Sequence, residues 1–163
     1  PQQRLIPVIQ RNAELNDLSN VEVVNVAISD GKKSSMDIWL SPSTHSGSSS
    51  FVTKYFVAKS QSIACCTLDD LFVDLFIDKA DLIKIDVEGF APEVLWGASD
   101  ILRSHRITFL LVDFHGRHLQ HRGIDPNALH HFVLGHGYKV VNSEFNKSGY
   151  NLYTPASTAS GTL

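Results

Sequence analysis

Basic residues and long apolar runs are scarce in this chain of 163 residues. Its 14 basic residues are outnumbered by 17 acidic ones, and a net charge of -3 offers no basic surface for a polyanion. No apolar run approaches the roughly 20 residues that a membrane span needs. We therefore expect neither a nucleic acid nor a membrane as a partner.

Cysteine is equally rare, since Cys65 and Cys66 are the only two and they are adjacent. A disulfide between sequence neighbours would close a strained ring, so we expect both thiols to be reduced. Reduced thiols are usual in the cytoplasm, which predicts a cytoplasmic protein.

Three glycine-containing signatures are also absent. The chain holds no GxGxxG, no GxxxxGK[ST] and no GxSxG, so functions in dinucleotide binding, nucleotide hydrolysis and serine hydrolysis lose their usual support. What the chain does hold is 43% hydrophobic and 19% charged residues, the balance of one folded domain.

Helical and strand-like patterns alternate along the sequence. The spacing of apolar residues predicts helices at 2–16, 68–76, 91–105 and 126–135, and strands at 21–28, 62–66, 81–87, 107–114, 138–142 and 149–155. We predict one domain over 1–163, with a β excursion at 33–62 that includes a strand at 51–57, and a flexible tail at 156–163. Such α/β alternation predicts a mostly parallel sheet flanked by helices.

Polar residues follow three of the predicted strands. In parallel sheets, ligands bind where the strands end at their carboxyl termini. This rule nominates Ser29 with Asp30, the segment 86–89, and Asp113 with His115.

Asp86 and Glu88 alternate around Val87, so both side chains leave the sheet in the same direction. They could orient a hydroxyl group, hold a divalent ion or contact a cationic cofactor. The structural alternative is that Glu88 caps the next helix while Asp86 pairs with Lys84. Sequence pattern leaves these interpretations open.

Asp113 and His115 repeat this spacing on the next strand. A histidine beside a carboxylate can act as a general base, because its pKa lies near neutrality, or it can be a hydrogen-bonded structural residue. Histidine is frequent in this region, but no cysteine and no zinc-type spacing accompany it, so we expect no metal site. The histidines concerned are His115, His118, His121, His130 and His131.

Four motifs, taken together, resemble the FkbM-type methyltransferases. They are NDLSNVEVVNVAISD at 16–30, GSSSF at 47–51, TLDDL at 67–71, and DLIKIDVEGF followed by EVLWGA within 81–98. TLDDL alone is a weak signal, whereas KIDVEG followed by EVLWGA is a strong one. The resemblance extends from the first residue to about Gly137.

This resemblance implies a Rossmann-like class I methyltransferase, a three-layer sandwich that uses S-adenosylmethionine. The first two strands of that fold and its glycine-rich loop are expected to precede residue 1, which makes this chain a partial domain. The resemblance implies that Asp86, Glu88, Asp113 and His115 serve catalysis, and that Ser29, Asp30, Asp86 and Gly89 bind the cofactor, with Ser29 and Asp30 near its adenine. Ala91 and Asp113 stand where the family usually has glutamate, so the acceptor site is expected to differ in detail.

The function implied is methyl transfer to a hydroxyl oxygen of a small molecule or sugar. The alternatives are a non-catalytic scaffold that has lost cofactor binding, a truncated inactive fragment, and a metal-dependent hydrolase built on carboxylates or histidines. An incomplete sheet would also have an exposed strand edge, which predicts a homodimer.

Overall fold

The computed structural model describes residues 1–40, 59–141 and 144–156. A 3-10 turn at Gln3–Leu5 leads into the first helix, and the elements in chain order are α1 (Ile6–Leu15), β1 (Ala27–Ile28), β2 (Ser35–Leu40), β3 (Lys59–Cys66), α2 (Leu68–Asp74), β4 (Ala80–Ile85), α3 (Ala91–Trp96), α4 (Ser99–Arg103), β5 (Ile107–Asp113), α5 (Gly116–His121), α6 (Pro126–Gly135), β6 (Tyr138–Val140) and β7 (Tyr150–Pro155). The strand predicted at 51–57 and most of the predicted tail lie outside the described residues.

The strands form two sheets, with the orders β1–β3–β2 and β4–β5–β7–β6. Parallel pairing joins β1 to β3 and β4 to β5, whereas β2 runs antiparallel to β3, and β7 runs antiparallel to both β5 and β6. The α/β class is therefore as predicted. A mostly parallel sheet is not confirmed, because β2 with β3, β5 with β7, and β6 with β7 pair antiparallel.

The larger sheet carries the main core. Its central strand β5 buries Ile107, Leu110 and Val112 completely, and α3 and α4 cover it with Leu95 and Leu102, both also at 0% exposure. The smaller sheet has a separate cluster of three buried residues, Ala27, Ile38 and Ile63. Across the described ranges, no helix combines the length and apolar character needed to cross a bilayer.

The strand predicted at 21–28 is wrong over most of its length. Only Ala27–Ile28 forms a strand, and Val21 and Val24 are exposed by 46% and 42%. β1 pairs with β3 through two residue pairs, and within the described residues 21–26 carry no assigned strand or helix. An apolar run is buried on both faces only where neighbouring strands or helices cover it.

The helix predicted at 91–105 is divided into α3 and α4. Asp69, in the first turn of α2, accepts hydrogen bonds from the backbone N–H groups of Asp100 (3.0 Å) and Ile101 (2.9 Å). A side-chain acceptor at these positions caps the start of a new helix. The Asp69 N–H in turn donates to the Gly97 carbonyl at 2.9 Å, which fixes the break.

Gly97 also lies where the smaller sheet meets these helices. A Cβ atom at Gly97 would stand 2.0 Å from the carbonyl oxygen of Ser29, the residue that follows β1. Because that separation is shorter than any van der Waals contact, only glycine allows this close approach.

Candidate functional site

The ends of β4 and β5 bring four of the predicted residues together. The two strands are parallel and in register, with Ile85 beside Val112, so Asp86 and Asp113 leave the sheet side by side. His115 Nε2 lies 3.5 Å from Glu88 Oε2 and 4.0 Å from Asp86 Oδ1. The structure therefore joins the two pairs of residues that the sequence nominated separately.

Asp113 lies on the opposite side of the His115 ring. Its Oδ1 atom is 3.4 Å from His115 Nδ1 and accepts a hydrogen bond from the His115 backbone N–H at 3.1 Å. These contacts leave Nε2 facing the carboxylates of Asp86 and Glu88. The arrangement suits a base whose ring is oriented by a carboxylate.

Left-handed backbone conformations turn the chain at both strand ends. Glu88 has a φ of 49°, Gly89 of 86° and His115 of 44°. A Cβ atom at Gly89 would stand 2.5 Å from the Cβ of His118, so a side chain there would displace α5. Left-handed conformations are unfavourable for residues other than glycine, and strain of this kind is concentrated at functional sites.

Asp86 is held in the ionised state by two donors. Its Oδ2 atom accepts hydrogen bonds from Lys84 Nζ at 2.7 Å and from the Tyr150 hydroxyl at 2.6 Å. These bonds, that of Lys84 first, lower the pKa of the Asp86 carboxyl. The second oxygen, Oδ1, faces His115.

Two further residues in the site were not predicted. Tyr150 lies on β7 and pairs with Asp113 on β5, which places its hydroxyl within hydrogen-bonding distance of Asp86. His118, on α5, stacks on His115 with ring centroids 5.6 Å apart, and its Nδ1 lies 4.0 Å from Glu88 Oε2. The spacing of three residues from His115 could have indicated His118 if the short helix α5 had been predicted.

Arg122 fixes the turn between β4 and α3. Its guanidinium group forms a two-pronged ion pair with Glu93 and donates to the Gly89 carbonyl at 2.5 Å. It also lies 5.9 Å from the ring centre of Phe90. This residue ties the Glu88 turn to the end of α5, and so supports both sides of the site.

The residues predicted to contact adenine lie in a different place. Ser29 is 1% exposed, and its backbone N–H donates to the Cys66 carbonyl. Asp30 pairs with Lys32 at 2.5 Å, which lowers the pKa of the Asp30 carboxyl. Asp30 also lines a cleft of about 170 Å³ together with Phe90 and Glu93. Gly89, by contrast, lies within the turn of the main site.

A family model described as the methyltransferase FkbM domain matches residues 1–140. The chain belongs to the FkbM methyltransferase family. The predicted resemblance is thereby confirmed, and the match ends close to Gly137, where the resemblance was expected to fade. No curated protein sequence matches this FkbM chain.

A solved structure supports the same fold. The chain is similar to the crystal structure of methyltransferase FkbM from Methylobacillus flagellatus KT, with a TM-score of 0.50 and 19% sequence identity. The similarity covers 93% of this chain and 33% of that one, so the FkbM chain described here spans about a third of the length of that protein. At this identity, the likeness supports the fold alone.

Proposed function

We propose that this FkbM domain takes part in methyl transfer from S-adenosylmethionine to a hydroxyl oxygen of a small molecule or sugar. The observation that carries the proposal is the convergence of Asp86, Glu88, Asp113 and His115 at the carboxyl ends of two parallel strands. Ligands of α/β proteins bind at this edge of the sheet. Because the chain belongs to a methyltransferase family, methyl transfer is the reaction that we assign to these residues.

The reaction requires alignment and the loss of one proton. The acceptor oxygen attacks the methyl carbon, a C–O bond forms, and the C–S bond of the sulfonium breaks to leave S-adenosylhomocysteine. In this proposal Asp86 and Glu88 orient the acceptor hydroxyl, His115 Nε2 accepts its proton, and Asp113 orients the imidazole ring. The carboxylates of Asp86 and Glu88 also favour the cationic sulfonium over its neutral product.

The cofactor would lie along the turn at Gly89 and towards Ser29 and Asp30. An apolar cleft of about 230 Å³ separates the two sheets, lined among others by Ile28, Ile83 and Ile85. The family resemblance implies two further strands and a glycine-rich loop in the complete fold, and we propose that this cleft is where those strands belong.

Cofactor binding can be tested on the chain as it is. We expect S-adenosylhomocysteine, titrated to millimolar concentration, to shift the backbone amide NMR signals of residues 86–89 and of Ser29 and Asp30. NMR is suited to this test because it detects weak binding, which is expected for a half-formed pocket. Unchanged signals in both segments would contradict the proposal and favour a non-catalytic scaffold.

Catalysis can be tested by comparing two histidine variants. We expect His115→Ala to slow the formation of S-adenosylhomocysteine, measured with a hydroxylated acceptor, by about 100-fold. Loss of a general base usually has an effect of at least this order. The matched control is His121→Ala, because His121 is an exposed residue at the end of α5, the helix that His115 precedes. Equal rates in the two variants would remove His115 from the mechanism.

We also propose that, in this chain taken by itself, the open β4 edge pairs with a second copy in place of those two further strands. Among the strands of the described residues, β4 is the last on its side of the larger sheet, and its Leu82 is 57% exposed. Unpaired backbone groups on an apolar edge favour strand pairing. Light scattering should report a dimer at micromolar concentration, and a monomer would count against this pairing.

A further inference from the structure

The side chains that face one another at the ends of β4 and β5 also form a set of metal ligands. Asp86, Glu88 and His115 each offer one ligand atom, and these atoms lie within 4.8 Å of one another. The ligands of an octahedral ion with bonds of about 2.1 Å lie about 3 Å apart when adjacent and about 4.2 Å apart when opposite. His115 Nε2 lies 3.5 Å from Glu88 Oε2 and 4.0 Å from Asp86 Oδ1, and both distances lie between these two values.

The local charge also favours a cation. Three carboxylates, those of Asp86, Glu88 and Asp113, surround the His115 ring, which is neutral when it acts as a metal ligand. Lys84 contributes one positive charge, and it binds the Asp86 oxygen that faces away from His115. Arg122 is already paired with Glu93. Three negative charges against one positive charge leave an excess that a divalent ion would neutralise.

Asp113 provides an independent indication of a metal site. Metal-binding histidines usually have a carboxylate or carbonyl beside the ring nitrogen that does not bind the metal, which orients the ring. Asp113 Oδ1 lies beside His115 Nδ1, and Nε2 faces the two potential carboxylate ligands. Nδ1 of His115 is buried and forms no hydrogen bond within the described residues, and the Asp113 oxygen, at 3.4 Å, is the carboxylate atom beside it.

We propose that Asp86, Glu88 and His115 bind one divalent transition-metal ion, of which Mn²⁺ is the representative. Two carboxylates and one imidazole suit Mn²⁺ or Zn²⁺ better than Mg²⁺, which prefers oxygen ligands alone. Three protein ligands leave three positions of an octahedral ion open. Resting on the proposed function, this geometry assigns the acceptor to compounds with two adjacent oxygens, such as vicinal diols, which can occupy two open positions.

The bound ion changes the role of His115 without changing the reaction. If Nε2 bound the metal, the ion would take over the part that the proposed function gives to this nitrogen. It would lower the pKa of a hydroxyl group bound to it, as it does for bound water, and the proton would leave to solvent. Asp86, Glu88 and His115 would then hold the ion, Asp113 would still orient the imidazole ring, and the C–O and C–S bond changes would be those given above.

The test is titration of the metal-free full chain with Mn²⁺, followed by electron paramagnetic resonance and calorimetry. We expect one Mn²⁺ per chain, and affinity weaker by at least about tenfold in His115→Ala and in Glu88→Gln. His121→Ala is the matched control and should bind like the wild type, because His121 is exposed at the end of α5 and is not one of the proposed ligands. Absence of binding at millimolar Mn²⁺ would overturn the proposal, as would equal affinity in all four proteins.

A measurement on the unmutated chain keeps the test valid if a variant does not fold. Mn²⁺ broadens NMR signals of nearby nuclei, so substoichiometric Mn²⁺ should broaden the signals of Val87 and His115 before those of His121 and His130. Broadening that begins elsewhere would place the ion outside this site and overturn the assignment.

The acceptor class can be tested with two isomeric probes. Catechol, with adjacent hydroxyl groups, should bind to the Mn²⁺-loaded chain, whereas resorcinol, whose hydroxyl groups are one carbon further apart, should bind at least about tenfold more weakly because it cannot chelate. Equal binding of both would contradict chelation. If Mn²⁺ binds while S-adenosylhomocysteine does not, the metal site stands and the methyltransferase proposal fails; the reverse result removes the metal site alone.

Discussion

The two sheets of this FkbM domain differ in how thoroughly they are covered. The larger sheet buries Ile107, Leu110 and Val112 of β5 in a cluster that also includes Leu95 and Leu102 of the helices α3 and α4. The smaller sheet relies on Ala27, Ile38 and Ile63, with Leu40 and Cys65 packed against them. The acid and histidine residues of the candidate site come from the larger sheet, and the residues assigned to the adenine come from the smaller one.

This difference indicates that the two halves of the candidate site have unequal structural support. A catalytic group must be held within a fraction of an ångström, and the packed strands β4 and β5 can provide that precision. The segment that ends at Ser29 is anchored by two residue pairs between β1 and β3 and by the close contact with Gly97. We therefore expect the acceptor side to be preformed and the adenine side to depend on further contacts.

The strongest test of unequal support is a pair of core truncations. We expect Leu110→Ala to lower the free energy of unfolding by about 3–5 kcal/mol and Ile63→Ala by about 2 kcal/mol, the two ends of the range for large-to-small core changes. The smaller cluster can relax or admit water, whereas β5 is enclosed. Chemical denaturation measures both values. An equal decrease in the free energy of unfolding would show that the two sheets are one packing unit.

The contact between the two regions can be broken at Gly97. Gly97→Ala places a methyl group against the Ser29 carbonyl and should cost about 1–3 kcal/mol, as overpacking does. Gly135→Ala is the control, because no atom lies within 4 Å of its added methyl group and alanine favours the helix α6. Thermal melts should therefore show Gly97→Ala destabilised and Gly135→Ala unchanged or stabilised. The opposite order would mean that the sheets do not meet at Gly97.

The helices that cover the larger sheet depend on the cap formed by Asp69. Asp69→Ala removes the acceptor for the N–H groups of Asp100 and Ile101 and should cost about 1 kcal/mol, the usual value of a helix cap. Asp74→Ala, at the exposed end of the same helix α2, should have no comparable effect. Denaturant unfolding of the two variants compares them directly, and similar stabilities would argue against the cap.

The smallest expected effect is a pH dependence of stability that comes from His130, on the helix α6. His130 stacks on Phe145 and hydrogen-bonds the Tyr153 hydroxyl at 2.9 Å, and burial, with His131 nearby, lowers the pKa of His130. As the pH falls below about 6.5, the unfolded chain binds a proton before the folded one, so stability decreases until the pH passes the folded pKa.

His130→Gln should flatten this decrease, because glutamine can hydrogen-bond Tyr153 without titrating. Melting temperatures at pH 7.5 and pH 5 provide the measurement, with His121→Gln as the control that retains the wild-type decrease. An unchanged slope in His130→Gln would assign the pH dependence to another group.

Most of the site could be predicted from local spacing, and the rest depended on strand order. Asp86 with Glu88 and Asp113 with His115 follow apolar strands, and adjacent parallel strands must bring such ends together. Tyr150 reaches Asp86 from 64 residues further along the chain, because β7 lies beside β5. Pairing between strands so distant in the sequence cannot be predicted from the local residue pattern.

The fold was least predictable where burial depends on distant partners. The run VEVVNVAI resembles a buried strand, yet within the described residues only its last two residues pair with another strand. The run APEVLWGASDILRSH resembles one helix, and its division is set by the side chain of Asp69, which lies 31 residues before Asp100 in the sequence. The helix and strand propensities of the residues in these two runs do not predict either interaction.

The left-handed backbone at Glu88 and His115 has a consequence for any attempt to stabilise this protein. Glycine would adopt these conformations without the penalty of about 1–2 kcal/mol per residue that other amino acids incur. A library screened for heat resistance alone should therefore enrich Glu88→Gly and His115→Gly, and each would delete a group from the site. Selection for stability alone would therefore remove residues of the candidate site, unless each round also selected for binding.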